Sequence, residues 1–260
     1  MMRGVCAVMV IAWHIGKPLC LVPMGFTTCR KEEGEMFGHL SFFYGEGVVV
    51  WNVLGFPDDM KPDFEFERAL HAQGFVRVAG VDEVGRGPLA GPVTAAAVVL
   101  DPENIPEGLN DSKKLTRKAR ERLYDQIIQV ADVSIAHASV DEIDEMNILR
   151  ASHLAMVRAL DGLKTPADFA LVDGNMLPKD LVLPAQTIIK GDARSQSISA
   201  ASIMAKICRD CVMLSLAQQH PGYGWETNMG YGSKSHMSAL QNLGPTPHHR
   251  RSFKPVYKML

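Results

Sequence analysis

The sequence predicts an α/β protein in which a mixed central sheet is flanked by helices. Three observations carry that expectation. Two apolar runs, 76–83 and 93–100, sit on either side of a glycine-rich turn and read as an antiparallel strand pair. Further along, short apolar runs alternate with stretches of helical period. Strands first, then strands alternating with helices, give a partly parallel sheet covered on its faces.

Residues 1–59 hold three of the five cysteines and two of the three tryptophans and show no clear period. At Met60 they give way to KPDFEFERALHAQGF, an amphipathic lead-in to the first strand. Met60 reads as the native start and 1–59 as an upstream extension; a genuine accessory segment is the alternative. The apolar run from Val5 to Trp13 is interrupted by His14 and Lys17 and is too short to cross a membrane.

After the first two strands, 110–115 reads as a loop. Thr116 is a fitting N-cap for a helix in which Ala119, Leu123, Ile127 and Val130 recur at helical spacing. A third strand is expected over 133–140, and a helix over 147–160 with Leu149, Leu154 and Leu160 facing inward. Strands over 169–172 and 185–189 follow. The longest helix is expected over 195–219, with Ile198, Ala201, Ala205, Cys208, Val212 and Leu216 on one stripe. From about Pro221 a small helical part closes the chain.

A chain of 260 residues, 47% hydrophobic and 22% charged, suits one main globular domain. Its net charge of −2 argues against a polyanionic partner only if the charge is spread evenly, and it is not. Between Lys113 and Arg122 six of ten residues are Lys or Arg, and 227–260 contains five and no acid. Two basic patches on a neutral body suit a nucleic acid touching one face, although a Lys/Arg-rich helix alone is also an ordinary solvated face. Cys208 and Cys211 fall within the long helix and form no expected redox or metal pair, so a reduced cytoplasmic protein without a membrane span is expected.

Asp82 and Glu83 end the first strand, Asp173 follows the strand 169–172, and Asp192 lies just beyond 185–189. Burying adjacent carboxylates removes hydration and sets like charges together, so a cation is needed beside them. Oxygen donors without His or Cys favour Mg2+ or Mn2+. Neighbouring strand residues point to opposite faces, so Asp82 and Glu83 share an ion only if the chain bends there, and Gly85 makes a bend feasible. Taken alone, Asp173 before Gly174 also fits a turn, and Asp192 also fits a helix-dipole charge. Asp111 reads as a loop brace.

Seven blocks carry a family resemblance: VAGVDEVGRGPLAGPV from Val78, LNDSKKLT from Leu109, EIDEMNIL from Glu142, LVDGN from Leu171, IIKGDARSQSISAASIMAKICRD from Ile188, MGYGSKSH from Met229 and HHRRSF from His248. In this order they resemble ribonuclease HII, the type 2 ribonuclease H of bacteria, over roughly residues 60–260. The resemblance implies a ribonuclease H-like catalytic domain over 60–220 and a helical substrate-binding segment over 221–260. It implies an endonuclease that cuts the RNA strand of RNA–DNA hybrids and ribonucleotides embedded in duplex DNA by two-metal catalysis. The products would carry 5′-phosphate and 3′-hydroxyl ends.

Carried over by residue, Asp82, Glu83 and Asp173 match the metal ligands and Asp192 the fourth catalytic carboxylate, with Mn2+ or Mg2+ as cofactor. Gly85, Arg86 and Gly87 match the element that contacts nucleotides around the ribose. Tyr231 matches the tyrosine that stacks on the sugar beside the cut. Lys113, Lys114, Lys190, Lys234, Arg250 and Arg251 are candidate phosphate contacts, with Lys113 and Lys190 foremost, and neither His236 nor His248 reads as a catalytic base. A monomer is expected. A non-catalytic hybrid-binding protein is disfavoured by the four acids, and an integrase or resolvase relative by the GRG element and Tyr231.

Overall fold

Five apolar segments pair into one sheet because their alternate side chains have a helix to pack on at either face. They are β1 (Val78–Val84), β2 (Val93–Val99), β3 (Asp132–Ala138), β4 (Phe169–Asp173) and β5 (Ala185–Ile188), in the order β3-β2-β1-β4-β5. The first three pair antiparallel, whereas β1–β4 and β4–β5 are parallel. The expected mixed sheet is therefore present in the computed structural model, which describes residues 61–260. The readings for 1–59 and for Met60 lie outside the described residues.

On one face Ala79, Val81, Ala95 and Ala97 meet α3 (Val140–Met146) and α4 (Ile148–Asp161). On the other, Ala96 and Val98 meet α2 (Arg117–Val130) and α5 (Gln196–Gln219). Small side chains bring the helices close to the strands, and the closest approach is at Gly80. A Cβ there would stand 2.1 Å from the carbonyl carbon of Ser197 and 2.3 Å from the nitrogen of Ile198. The first turns of α5 thus rest on bare β1 backbone.

The start of α5 is further held by α1 (Glu65–Ala72), whose Glu67 is fully buried. Its Oε1 accepts from the Ser195 hydroxyl at 2.6 Å and from the Ser197 amide at 2.9 Å. A carboxylate thereby takes up one of the free N–H groups at a helix N-terminus, where negative charge is favoured.

Three expectations need correction. On α5 the buried face runs through Ala205, Arg209, Met213 and Leu216, so Cys208 and Val212 of the expected stripe are only partly buried. The third strand stops at Ala138, because Ser139 and Glu142 form a reciprocal capping box that starts α3 at Val140. On α4 the buried face is Ala151, Ala155, Met156, Ala159 and Leu160; Leu149 and Leu154 are only partly buried. Alanines fit the narrow gap over β1 and β2 that larger side chains would hold open.

The expected helical C-terminal part is α6 (Trp225–Asn228), α7 (Lys234–Leu243) and α8 (Lys254–Tyr257). Their apolar residues Trp225, Leu240 and Val256 close on Leu89, Met213 and Leu216. Inside lies a polar chain in which Trp225 Nε1 donates to His236 Nε2 at 3.0 Å and the Thr246 amide donates to His249 Nδ1 at 2.9 Å. His236 Nδ1 lies 2.9 Å from the Tyr231 carbonyl and donates to it. Burial, reinforced by His236, pushes His249 down to about 4, and burial lowers His236 as well. These imidazoles are thus tied into the packing of the C-terminal part.

Gly80→Ala should therefore lower stability sharply, because the obstructing atoms are helix backbone rather than a movable side chain. A loss of about 1–3 kcal/mol or more is expected, or several degrees in melting temperature for a domain of this size. Thermal unfolding of the full chain measures it, and an unchanged melting temperature would show that α5 moves off the sheet at little cost.

Candidate active site

The parallel pairing of β1 and β4 ends at Val81 opposite Val172, so the next residues, Asp82 and Asp173, emerge side by side on adjacent strands. Asp173 is paired in turn with Ile188 on β5, and the chain returns past it through a 3-10 turn, Gly191–Ala193, that carries Asp192. The Gly191 amide donates to Asp173 Oδ1 at 2.6 Å. Gly191 is required for that approach, since a Cβ would lie 2.6 Å from Ile198 Cδ1 and 3.2 Å from the same carboxylate oxygen. Lys190, immediately before it, has the left-handed backbone conformation with φ 54° that non-glycine residues seldom adopt.

Asp82, Glu83, Asp173 and Asp192 are brought to one edge, as the sequence reading expects. Burial, then the charges of Glu83, Asp173 and Asp192, hold the Asp82 carboxyl well above its usual range. Burial raises Glu83 and Asp173 also, and burial with the neighbouring Asp111 and Asp173 pushes Asp192 up to about 6. Two cations temper the cluster: Arg86 Nη1 lies 3.2 Å from Glu83 Oε1, and Lys113 Nζ lies 3.7 Å from Asp192 Oδ2.

Glu83 remains within the β1–β2 ladder, and the bend comes after it, at Gly85 with φ 95°. Among the described residues no three acidic, His or Cys side chains are already closed into an ion cage. The donor set nonetheless suits divalent cations: the carboxylate oxygens are hard ligands, the carboxyls are raised first by burial and then by one another's charge, which a bound cation would offset, and Glu83 and Asp192 can release the weak contacts they now make.

Two serines that sequence reasoning missed fix Asp82. Ser202 on α5 hydrogen bonds to the Asp82 carboxylate, and its hydroxyl lies 2.8 Å from that of Ser112. Ser112 belongs to the loop of Asn110–Leu115, which Arg120 holds by donating to the Ser112 and Leu115 carbonyls at 2.8 and 2.6 Å. Asp111 braces this loop through the Lys113 amide at 2.8 Å, as expected, and also reaches Asp192. The available signal was the small polar character of SISAAS within an otherwise apolar helix.

The GRG element forms a turn at the rim, with Arg86 and Gly87 exposed. Tyr231 is 47% exposed and lies beside it: a Cβ on Gly87 would be 3.4 Å from Tyr231 Cε1. Lys113, Lys114, Lys190, Lys234 and Arg251 are exposed at the surface. Arg250 is not. It is fully buried and its guanidinium donates to backbone carbonyls, which rules out the expected phosphate contact. No helix of the described residues is long and apolar enough to cross a membrane.

Comparison with known proteins agrees with this arrangement. The family model for ribonuclease HII matches residues 79–256. The chain is 68% identical to ribonuclease HII of Ruegeria pomeroyi over 200 residues, covering 77% of this chain and 86% of that protein. It is 70% identical to ribonuclease HII of Roseobacter denitrificans over 189 residues, covering 73% and 96%. Among solved structures it resembles ribonuclease H2 of Pyrococcus horikoshii OT3 with a TM-score of 0.60 and 31% identity, covering 71% of this chain and 97% of the other. Sequence, fold and the acidic edge of the sheet thus lead to one assignment: the chain is a member of the ribonuclease HII family.

Proposed function

We propose that Asp82, Glu83, Asp173 and Asp192 are the catalytic carboxylates of a metal-dependent endoribonuclease. Its substrates are the RNA strand of RNA–DNA hybrids and ribonucleotides embedded in duplex DNA. The observation that carries this reading is the convergence of four mutually repelling carboxylates, Asp82 and Asp192 buried and Glu83 and Asp173 partly so, beside an open glycine turn and a half-exposed tyrosine.

Asp82, Glu83 and Asp173 would hold Mn2+ or Mg2+, and Asp192 would complete the site. Bound there, divalent cations supply an activated water and charge stabilisation at the leaving oxygen of an in-line displacement at phosphorus. The protein's part is to align the carboxylates and to offset some of the burial and repulsion that raise them, through Ser202 at Asp82 and the Gly191 amide at Asp173.

Substrate choice requires a test for the 2′-hydroxyl, which alone separates RNA from DNA at one position. The backbone at Gly85, Arg86 and Gly87 would approach the ribose, and the Tyr231 ring would stack on the adjacent sugar. Lys113 and Lys190 lie next to the carboxylates in space or sequence and would bind phosphates, positioning the duplex without reading bases. The products would be 5′-phosphate and 3′-hydroxyl ends, and a monomer suffices because every group named lies on one chain.

Asp82→Asn or Asp173→Asn should abolish cleavage while leaving the fold intact, since each removes a charged ligand from metal stabilisation worth several kcal/mol. Single-turnover rates in saturating Mg2+ and in Mn2+ provide the check, and near wild-type rates in either variant would sink the metal assignment. The rise in melting temperature on adding Mn2+ to the wild type should shrink in both.

The pH dependence of the metal-free fold supplies a separate check on Asp192. Its folded pKa of about 6 exceeds the usual value of 3.8, so ionisation destabilises the folded state. That penalty is absent below about pH 4 and complete above about pH 6. In EDTA, the stability of Asp192→Asn relative to wild type should therefore rise across this window, by on the order of 1–3 kcal/mol. His249 acts with the opposite sign but is present in both proteins and cancels. A difference flat from pH 4 to 7 in urea denaturation would place Asp192 outside the cluster's electrostatics.

Tyr231→Ala should reduce cleavage at an isolated ribonucleotide more than cleavage of a long hybrid, where many registers bring some nucleotide to the site. Single-turnover rates on the two substrates decide this. Equal losses would assign the tyrosine to general binding or to the fold.

A further inference from the structure

Two arginines lie fully inside the protein without a carboxylate partner. Arg209, on α5, is 1% exposed and Arg250, before α8, is 0% exposed, and no ion pair involves either among the described residues. A buried guanidinium is costly unless its donors are matched. Here the matching groups are backbone carbonyls of the turn that joins β1 to β2. Arg250 donates to Gly85 O at 2.6 Å, Gly91 O at 2.9 Å, Arg86 O at 3.0 Å and Pro92 O at 3.2 Å. Arg209 donates to Pro92 O at 2.9 Å and Ala90 O at 3.0 Å, and its remaining Nη1 donates to Met229 O at 3.0 Å.

The last bond joins two separate parts of the chain. Met229 and Gly230, both left-handed, form the turn that presents Tyr231. That turn is fastened to the first one by the Leu89 amide donating to Gly230 O at 2.8 Å, and by Gly230 itself, where a Cβ would stand 2.6 Å from Ala90 O. Gly85 serves the same construction, since a Cβ there would lie 2.1 Å from Arg209 Nε. The glycine that opens the GRG element is thus required by the guanidinium behind it.

We infer that Arg209 and Arg250 are positioning residues that set the spacing between the 85–87 turn and Tyr231, and that this spacing determines selectivity for an isolated ribonucleotide. The inference rests on the proposed roles of those two elements. A planar fork holds several carbonyls at fixed separations, which neither an apolar side chain nor an ammonium reproduces. Filling the space alone would not need a charge. Drawing the carbonyls inward also leaves uncompensated positive charge behind a turn meant to face phosphates. Burial lowers Arg209 to about 10 and Arg250 to about 9, so both remain cationic at neutral pH.

The test compares Arg209→Lys and Arg250→Lys with wild type on a duplex holding one ribonucleotide and on a long RNA–DNA hybrid. Displacing a substrate-facing group by about 1 Å can cost about 100-fold in rate. Losses of about 10-fold to 100-fold in kcat/KM are expected on the single ribonucleotide and at least about fivefold smaller losses on the long hybrid, the direction expected for Tyr231→Ala. Mn2+ affinity without substrate, measured by calorimetry, should stay within about twofold, which separates positioning of the turns from damage at the carboxylates.

Equal losses on both substrates, or an unchanged ratio in a folded variant, overturn the inference. Where a Lys variant does not fold, the Gln variant at the same position replaces it; failure of all four to fold shows the arginines to be supports of the fold and also overturns it. Wild-type cleavage of the long hybrid, with loss in EDTA, runs alongside. If wild type does not cleave, the proposed function fails; if it cleaves and the ratios hold constant, only this inference does.

Discussion

Repulsion between carboxylates on neighbouring strands is the constraint on which this structure turns. The parallel register of β1 and β4 sets Asp82 beside Asp173, and the return from β5 adds Asp192. An arrangement of this kind opposes folding unless the surrounding framework imposes it. The framework does so through backbone contacts that leave little freedom: bare strand at Gly80 beneath α5, an amide from Gly191, and a hydroxyl relay from Ser112 through Ser202. Stability is thus lost at the sheet edge and recovered from the packed layers on either side, the pattern expected where strain is kept for function.

Helix α5 ties the two halves of the site together. Its first turns carry Ser197 and Ser202 against β1 and the carboxylates, Arg209 stands under the turn after β1, and Met213 and Leu216 enter the C-terminal cluster. From Ser202 to Arg209 is seven residues, or about 10 Å of helix. The reacting edge and the rim with Tyr231 are therefore referred to one rigid element, and no loop has to set the separation between them.

Much of this was legible in the chain. Strand runs, the long helix and the four acids could be read from apolar period and from the cost of burying charge, because those signals are local. The missed features depend on what packs against what. Ser139 and Glu142 carried a cap signature, but the preceding strand pattern ran through it. Leu149 and Leu154 were expected inward by hydrophobicity, yet the sheet surface of Ala95 and Ala97 admits alanines more closely. Arg250 resembled a phosphate contact because a basic, acid-free tail is ordinarily solvated, and only the fold reveals carbonyls waiting for it. Arg209 was hidden in the same way: the stripe read from the sequence runs through Cys208 and Val212, whereas the buried face passes one position along, through Arg209 and Met213.

Glu67 has a bearing on where this fold can be cut. The stretch that matches the family model begins at residue 79, beyond α1, so a minimal domain drawn to that boundary would keep every proposed catalytic and recognition residue and still discard the carboxylate seated on Ser195 and Ser197. The Ser197 amide at the head of α5 would then face solvent or a void just where the chain leaves Asp192. A boundary chosen by likeness among sequences is for this protein about a dozen residues too late, because the helix that opens the described chain is the lid on the dipole of the helix that organises the rest.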